Sequence, residues 1–192
     1  MNNKIVYVPL AVDILHSGHL NIINRAKKYG KVVIGLLSDN AVAEYKNIPA
    51  LEYEERYKIV KNLKNIHKII KQDTWDYSKV LNSLKPDYFV HGDDWRKGIQ
   101  KKTRQKVIKL LKKNKAKLIE IPYTKNISSS SIKSDLINHL TPTSRVSILK
   151  RLIDSKKIVR ILESHSPLSG LIVENMKFQK GNTTEQFDGM WS

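Results

Sequence analysis

The sequence predicts an α/β protein built on a doubly wound parallel sheet. Two observations carry this. Apolar runs that read as buried strands alternate with helical stretches from Lys4 to about residue 139, which is the pattern of successive right-handed βαβ units. The segments richest in chemistry follow the apolar runs, where open parallel sheets bind their ligands.

The elements follow in order. Lys4-Ile5-Val6-Tyr7-Val8 reads as a buried strand. His16 to Lys28 reads as a helix, with Leu20, Ile23 and Ala26 along one side. Lys31 to Leu37 is the second strand. Ala50 to Leu63 is helical, with Glu52, Glu54 and Glu55 early and lysines late, as the helix dipole prefers. Lys68 to Ile70 is a short strand. Asp76 to Leu84 is a helix stopped by Pro86, and Asp87 to His91 is a strand. From Arg96 to Lys117 Val107, Ile108, Leu110 and Leu111 fall at helical spacing, giving an amphipathic helix with a basic face. Lys117 to Ile121 is the next strand, and a last helix begins within Ser128–Ser131. Thr141-Pro142-Thr143-Ser144 reads as a boundary. Beyond it the expectation is a helix at Arg145–Asp154, a strand at Ile158–Leu162, a helix at Leu168–Met176, a polar loop at Gln179–Gln186 and a final apolar run from Phe187.

Composition narrows the class. At 192 residues the chain holds one sizeable domain, or one domain with part of another. There is no cysteine, hence no disulfide or thiolate chemistry. No run approaches the roughly 20 apolar residues that cross a bilayer, and the polar start at Met1-Asn2-Asn3-Lys4 is not a signal peptide. The expectation is a soluble, cytoplasmic protein with no membrane partner. The net charge of +17, from 35 Lys and Arg against 18 Asp and Glu, fits a solvated lysine-rich surface, nucleic acid or small anionic substrates. Arg96 to Lys117 holds eleven of these cations and no acid. No aromatic residues interleave with them, so a stacking platform for single strands is not suggested.

One motif follows the first strand. In Asp13-Ile14-Leu15-His16-Ser17-Gly18-His19, the two histidines lie three apart and share a face at a helix start. A helix N-terminus favours anions through its free N–H groups and dipole, two imidazoles there can donate to a polyphosphate, and Gly18 permits close approach. Read alone, the pair could equally be ordinary surface histidines. A zincin site lacks its i, i+4 spacing and its glutamate.

This stretch resembles the HxGH signature of the nucleotidylyltransferase superfamily. Three further segments carry the resemblance, over residues 4 to about 139: Glu54-Glu55-Arg56, with an Arg at a helix start; Gly92-Asp93-Asp94-Trp95, similar to the GDDW segment of the glycerol-3-phosphate cytidylyltransferase group; and Ile127-Ser128-Ser129-Ser130-Ser131-Ile132, similar to its ISTTxI. The resemblance implies a Rossmann-like fold over residues 1–140 and transfer of CMP from CTP by in-line displacement at the α-phosphorus, chemistry that needs positioning and charge neutralisation. It implies His16, His19, Lys46 and Ser128 as catalytic residues. Leu10, Ala11, Asp13, Gly18, Arg56, Gly92, Asp94, Trp95, Ile127, Ser129 and Ser130 would surround the CTP. Asp39, Tyr123 and Lys125 would lie near the acceptor or a phosphate-bound Mg²⁺. A homodimer is a further expectation from the resemblance.

Two departures point at the acceptor. Leu10-Ala11-Val12-Asp13 stands where the family has GTFD, and Tyr123-Thr124-Lys125-Asn126-Ile127-Ser128 lacks the family's Arg before its serine motif; a Tyr cannot supply that bidentate charge. In residues 141–192, Lys157 to Gly170 resembles the first strand and helix of phosphoenolpyruvate mutase, and Phe187 to Ser192 its second strand. About 45 residues match, against roughly 250 for a whole barrel, so the tail is an incomplete βαβ extension, expected to be mobile or packed on a partner. That likeness implies a phosphonate acceptor such as 2-aminoethyl- or 2-hydroxyethylphosphonate, and a fused or associated mutase domain. Glycerol 3-phosphate or another phosphoalcohol is the alternative. A basic nucleic-acid-binding or a non-catalytic tethering module is the reading from another class.

Overall fold

The computed structural model describes residues 3–44, 48–96, 98–122, 124, 128–129, 132, 142–180 and 183–191. Five parallel strands form the central sheet: β1 (Ile5–Leu10), β2 (Lys31–Leu37), β3 (Lys68–Gln72), β4 (Tyr88–Gly92) and β5 (Lys117–Ile121), in the spatial order β3-β2-β1-β4-β5. The chain builds outward from β1 to β3, then returns to place β4 on the other side of β1, pairing Val6 with Tyr88. Helices α1 (Ser17–Ala26) and α3 (Tyr53–Lys61) cover one face, packed on Val6, Val8, Val32, Ile34 and Leu36. Helices α4 (Ser78–Leu84) and α5 (Lys101–Lys113) cover the other, where Tyr7, Val33 and Phe89 meet Leu81, Val107 and Leu111. The period-two alternation of Val6, Tyr7 and Val8 between the two cores is the signature of a strand buried on both sides. The result is a Rossmann-like doubly wound fold with its topological switch point between β1 and β4.

Local signals explain several boundaries. His16 caps α1, and Ser38 caps a short helix α2 (Asp39–Ala43) by accepting from the Ala41 N–H at 3.3 Å. That helix was not expected from sequence; five residues are too few for periodicity to show. The basic run is not helical throughout. It opens with 3₁₀ turns at Asp93–Arg96 and Gly98–Gln100, with Gly98 at φ 68°, so α5 starts only at Lys101. Its charge is partly neutralised: Arg96 and Arg104 hold Glu120 at 2.8 and 2.9 Å, and Lys106 holds Asp76 at 2.6 Å. The Arg104 hydrogen bonds, helped by Arg96 and Trp95, lower the Glu120 carboxyl to about 2. Lys106 and then Ser78 do the same to Asp76.

Beyond residue 141 the chain forms α6 (Pro142–Ser155), β6 (Ile161–Glu163), α7 (Pro167–Asn175), a hairpin of β7 (Lys177–Lys180) and β8 (Thr183–Gln186), and β9 (Gly189–Trp191). Strands β6 and β9 pair in parallel, with Ile161 opposite Gly189. The hairpin corrects the polar loop expected at Gln179–Gln186: its polar residues pair across the ladder instead of alternating with buried ones. A capping box between Ser166 and Ser169, with Pro167 in the first turn, starts α7. Asp188 ties β9 back by accepting from Lys156 and from the Arg160 N–H. The segment meets the sheet body through Arg151, whose Nη1 donates to the Ala50 carbonyl at 2.7 Å. Among the described residues no helix is long and apolar enough to cross a membrane.

Candidate active site

A cavity of about 270 Å³ opens at the switch point. Its floor is the end of β1, at Pro9, Leu10 and Ala11. His16, Gly18, His19 and Ile22 line it from α1, and His91, Gly92, Asp94 and Gln100 from the end of β4 and the turns beyond. Ile121, Pro122, Thr124, Ser128 and Ser129 close the β5 side, while Leu37, Trp75 and Tyr77 close the side of β2 and β3.

The His16 ring is fixed. Its Nδ1 accepts from the Gly18 N–H at 3.1 Å, so in the neutral ring the proton sits on Nε2. This contact explains Gly18: a Cβ there would stand 2.8 Å from His16 Cε1. The glycine thus makes room for the capping ring rather than for the ligand itself. The His19 ring lies against that of His16, centroids 4.0 Å apart. Two imidazoles at a helix N-terminus, in a cavity also lined by Ser128 and Ser129, are groups of a kind that suits an anion. Ser129 Oγ donates to the Ile14 carbonyl at 3.3 Å, which ties the serine segment to the loop before α1.

A layer of buried groups holds these walls. The fully buried Arg56 is the centre of one: it donates to the carbonyls of Leu51 at 3.1 Å, Leu37 at 2.8 Å and Ala11, and to Asp39 Oδ1 at 2.7 Å. It joins the ends of β1 and β2 to α2 and does not line the cavity. Asp39 is its ion-pair partner, and Glu52 faces Arg151. Asp39 also accepts from the Tyr53 N–H. The buried Asp13 accepts from the Ala50 N–H. Both carboxylates therefore brace loops and stand outside the cavity lining. Trp95 is likewise beneath the site: it is buried, stacks on His91 with centroids 4.0 Å apart, and donates to Glu120 at 2.8 Å. On the other flank Gln72 accepts from the Tyr7 hydroxyl at 2.9 Å and donates to the Thr74 carbonyl at 2.7 Å, which sets the loop that carries Trp75 and Tyr77.

Of the expected site residues, the structure gathers His16, His19, Ser128, Leu10, Ala11, Gly18, Gly92, Asp94 and Ser129 around one cavity. Arg56, Asp13, Asp39 and Trp95 lie behind its walls. Lys46, Tyr123, Lys125, Ile127 and Ser130 lie outside the described residues. Sequence reasoning missed Trp75, Tyr77, His91 and Gln100 as lining residues; only the position of His91, directly before Gly92-Asp93-Asp94-Trp95, carried a signal. Among the described residues no three His, Cys, Asp or Glu side chains converge on a metal position, and Asp94 is the one carboxylate among the lining residues described.

Residues 12–135 match the cytidylyltransferase-like family. The chain belongs to that family. The matched region is a nucleotidyltransferase domain, and it contains every cavity residue named above except Pro9, Leu10 and Ala11. Glycerol-3-phosphate cytidylyltransferase of Bacillus subtilis (strain 168) is 26% identical over 126 residues, 65% of this chain and 90% of that enzyme. Ethanolamine-phosphate cytidylyltransferase of Dictyostelium discoideum is 33% identical over 91 residues, 46% of this chain and 25% of that enzyme. FAD synthase of Archaeoglobus profundus is 34% identical over 82 residues, 43% of this chain and 53% of that enzyme. The chain therefore spans only a part of the latter two. The lipopolysaccharide core biosynthesis protein from Thermoplasma volcanium GSS1 superposes with a TM-score of 0.52 at 24% identity, over 65% of this chain and 98% of that one, and so shares the fold.

Proposed function

We propose that this cytidylyltransferase-like chain transfers CMP from CTP to a phosphate or phosphonate oxygen of a small acceptor. The observation that carries the reading is the pair of adjacent imidazoles at the N-terminus of α1, both lining the cavity, with His16 Nδ1 engaged by the Gly18 N–H. An acceptor oxygen attacks the α-phosphorus, the bond from that phosphorus to the bridging oxygen breaks, and pyrophosphate leaves with the electron pair. No protein nucleophile is needed. His16 and His19 donate to the phosphate oxygens as charge moves onto them, and the α1 N-terminus, Ser128 and Ser129 hold the rest of the triphosphate. Lys46 is proposed to reach the α-phosphate from its loop. Arg56 keeps the β1 and β2 ends in register beneath the nucleotide.

The single lining carboxylate does not make an all-protein metal cage. Mg²⁺ fits as a partner of the triphosphate, bound mostly by phosphate oxygens and water with Asp94 the protein group at hand. Bound there it would neutralise charge on the phosphates.

For the acceptor, we favour a small phosphonate such as 2-aminoethyl- or 2-hydroxyethylphosphonate. The tail's likeness to the start of phosphoenolpyruvate mutase and the Tyr123 departure support it. The named relatives support a phosphoalcohol such as ethanolamine phosphate or glycerol 3-phosphate. Pyrophosphate release with CTP and Mg²⁺ against all four decides: turnover of one or more is expected, and no turnover by the folded protein sinks the transferase reading. His16→Ala is expected to lower kcat at least about 100-fold; a rate within a few-fold of wild type removes His16 from the chemistry.

A further inference from the structure

We propose that Gln100 is a specificity-determining residue that accepts a hydrogen bond from an amino group of a bound substrate. The inference rests on the transferase reading of the cavity and adds to it what one wall recognises. Gln100 lines the same cavity as His16 and His19. Its side-chain oxygen is buried and has no hydrogen-bond partner among the described residues. Buried amide oxygens in folded proteins are nearly always paired. An oxygen left unpaired beside a cavity therefore points to a donor that arrives with the ligand.

The chemistry of that donor follows from the polarity of the cavity. The α1 side offers donors, from His16 and the helix N-terminus, and suits phosphates. The stretch from Asp94 to Gln100 offers acceptors, a carboxylate and a carboxamide oxygen. Ionised phosphates carry no proton to give, so they cannot serve this wall. A hydroxyl has one proton and serves one acceptor, whereas an amino group has two or three and serves both. Two parts of the reactants present such a group: the 4-amino group of cytosine, and the terminal amine of an aminoalkyl acceptor.

The full chain tests both sources. For wild type, Gln100→Met and Gln100→Glu, kcat/KM is measured for CTP against UTP, and for 2-aminoethylphosphonate against 2-hydroxyethylphosphonate. Calorimetric binding of the same four ligands reads the same two ratios without turnover, so the test survives even if no acceptor reacts and the transferase reading fails. Gln100→Met, close in shape but without the oxygen, is expected to lower one ratio at least about tenfold. Loss of CTP preference assigns the cytosine amine, and loss of aminoalkyl preference assigns the acceptor. Gln100→Glu keeps an accepting oxygen and is expected to hold that ratio within about threefold. A change in absolute rate with both ratios within about twofold of wild type in Gln100→Met would overturn the proposal, because a structural or water-bound amide moves rates and not preferences.

Discussion

The two parallel β-structures of this chain are built from similar local material and end differently. In the sheet body, β1 and β2 are almost wholly buried, because helices cover both faces and neighbours cover both edges of β1. In the tail, β6 is exposed along its whole length, and Leu168, Leu171 and Ile172 of α7 face solvent with Met190 and Trp191 of β9. Both regions show strand, helix and parallel strand. Only the first closes a core. A parallel pair needs further strands and a second covering layer before its apolar residues contribute, so hydrophobic pattern by itself does not report stability.

The sharpest way to break this contrast is to attack the polar centre of the body. Arg56→Met removes the ion-pair partner of Asp39 and one donor from each of the carbonyls of Ala11, Leu37 and Leu51. We expect a loss of about 3–5 kcal/mol, the usual cost of breaking a buried ion pair from one side, read from urea unfolding. A loss under about 1 kcal/mol would mean that the body's stability does not pass through this residue.

That residue also shows how far the sequence could be read. The fold was legible because continuous apolar runs and helical periodicity are properties of neighbours in the chain. The cavity centre was legible because His16, Gly18 and His19 sit within one helical turn. Arg56 stood out by its motif, but its work on three carbonyls depends on where β1 and β2 end, which only the assembled sheet decides. Trp95, expected among the residues around the CTP, is taken by the stack with His91 and Phe89 and by Glu120. Trp75 and Tyr77 reach the cavity because Gln72 and Tyr7, 65 residues apart, fix their loop. No local pattern announces such a bond.

A smaller effect is expected at the β5 edge of the body, where Glu120 gathers Arg104, Arg96 and Trp95. Its carboxyl is held at about 2 in the folded chain, below the ordinary 4.5. A group with a lowered folded pKa stabilises above the unfolded value and loses that contribution as pH falls through the folded one. Glu120→Gln should therefore lower stability near neutral pH by about 1 kcal/mol, since solvent reaches part of the cluster. The gap to wild type should narrow between pH 4.5 and about 2, followed by Tm against pH. A gap that stays constant over that window would remove the ionised carboxylate as the cause.

The smallest effect belongs to the tail, and there the sign of the surprise matters most. Leu171 on α7 is 58% exposed, so Leu171→Asn removes little buried surface and should change stability by no more than about 0.5 kcal/mol. The segment's polar ties are the Ser166–Ser169 capping box, and Asp188 with Lys156 and Arg160; its buried apolar residues include Leu152 and Val173. The polar ties do not involve this side chain. Amide exchange sharpens the point. It should be slow in β1 and β2, intermediate in α6, where Arg151 reaches the Ala50 carbonyl, and fast in β6 and β9. If Leu171→Asn instead costs more than about 2 kcal/mol, or β6 exchanges as slowly as β1, then this face is covered in solution. The tail would then be a second closed core, and its exposed apolar residues would be the inner surface of an interface.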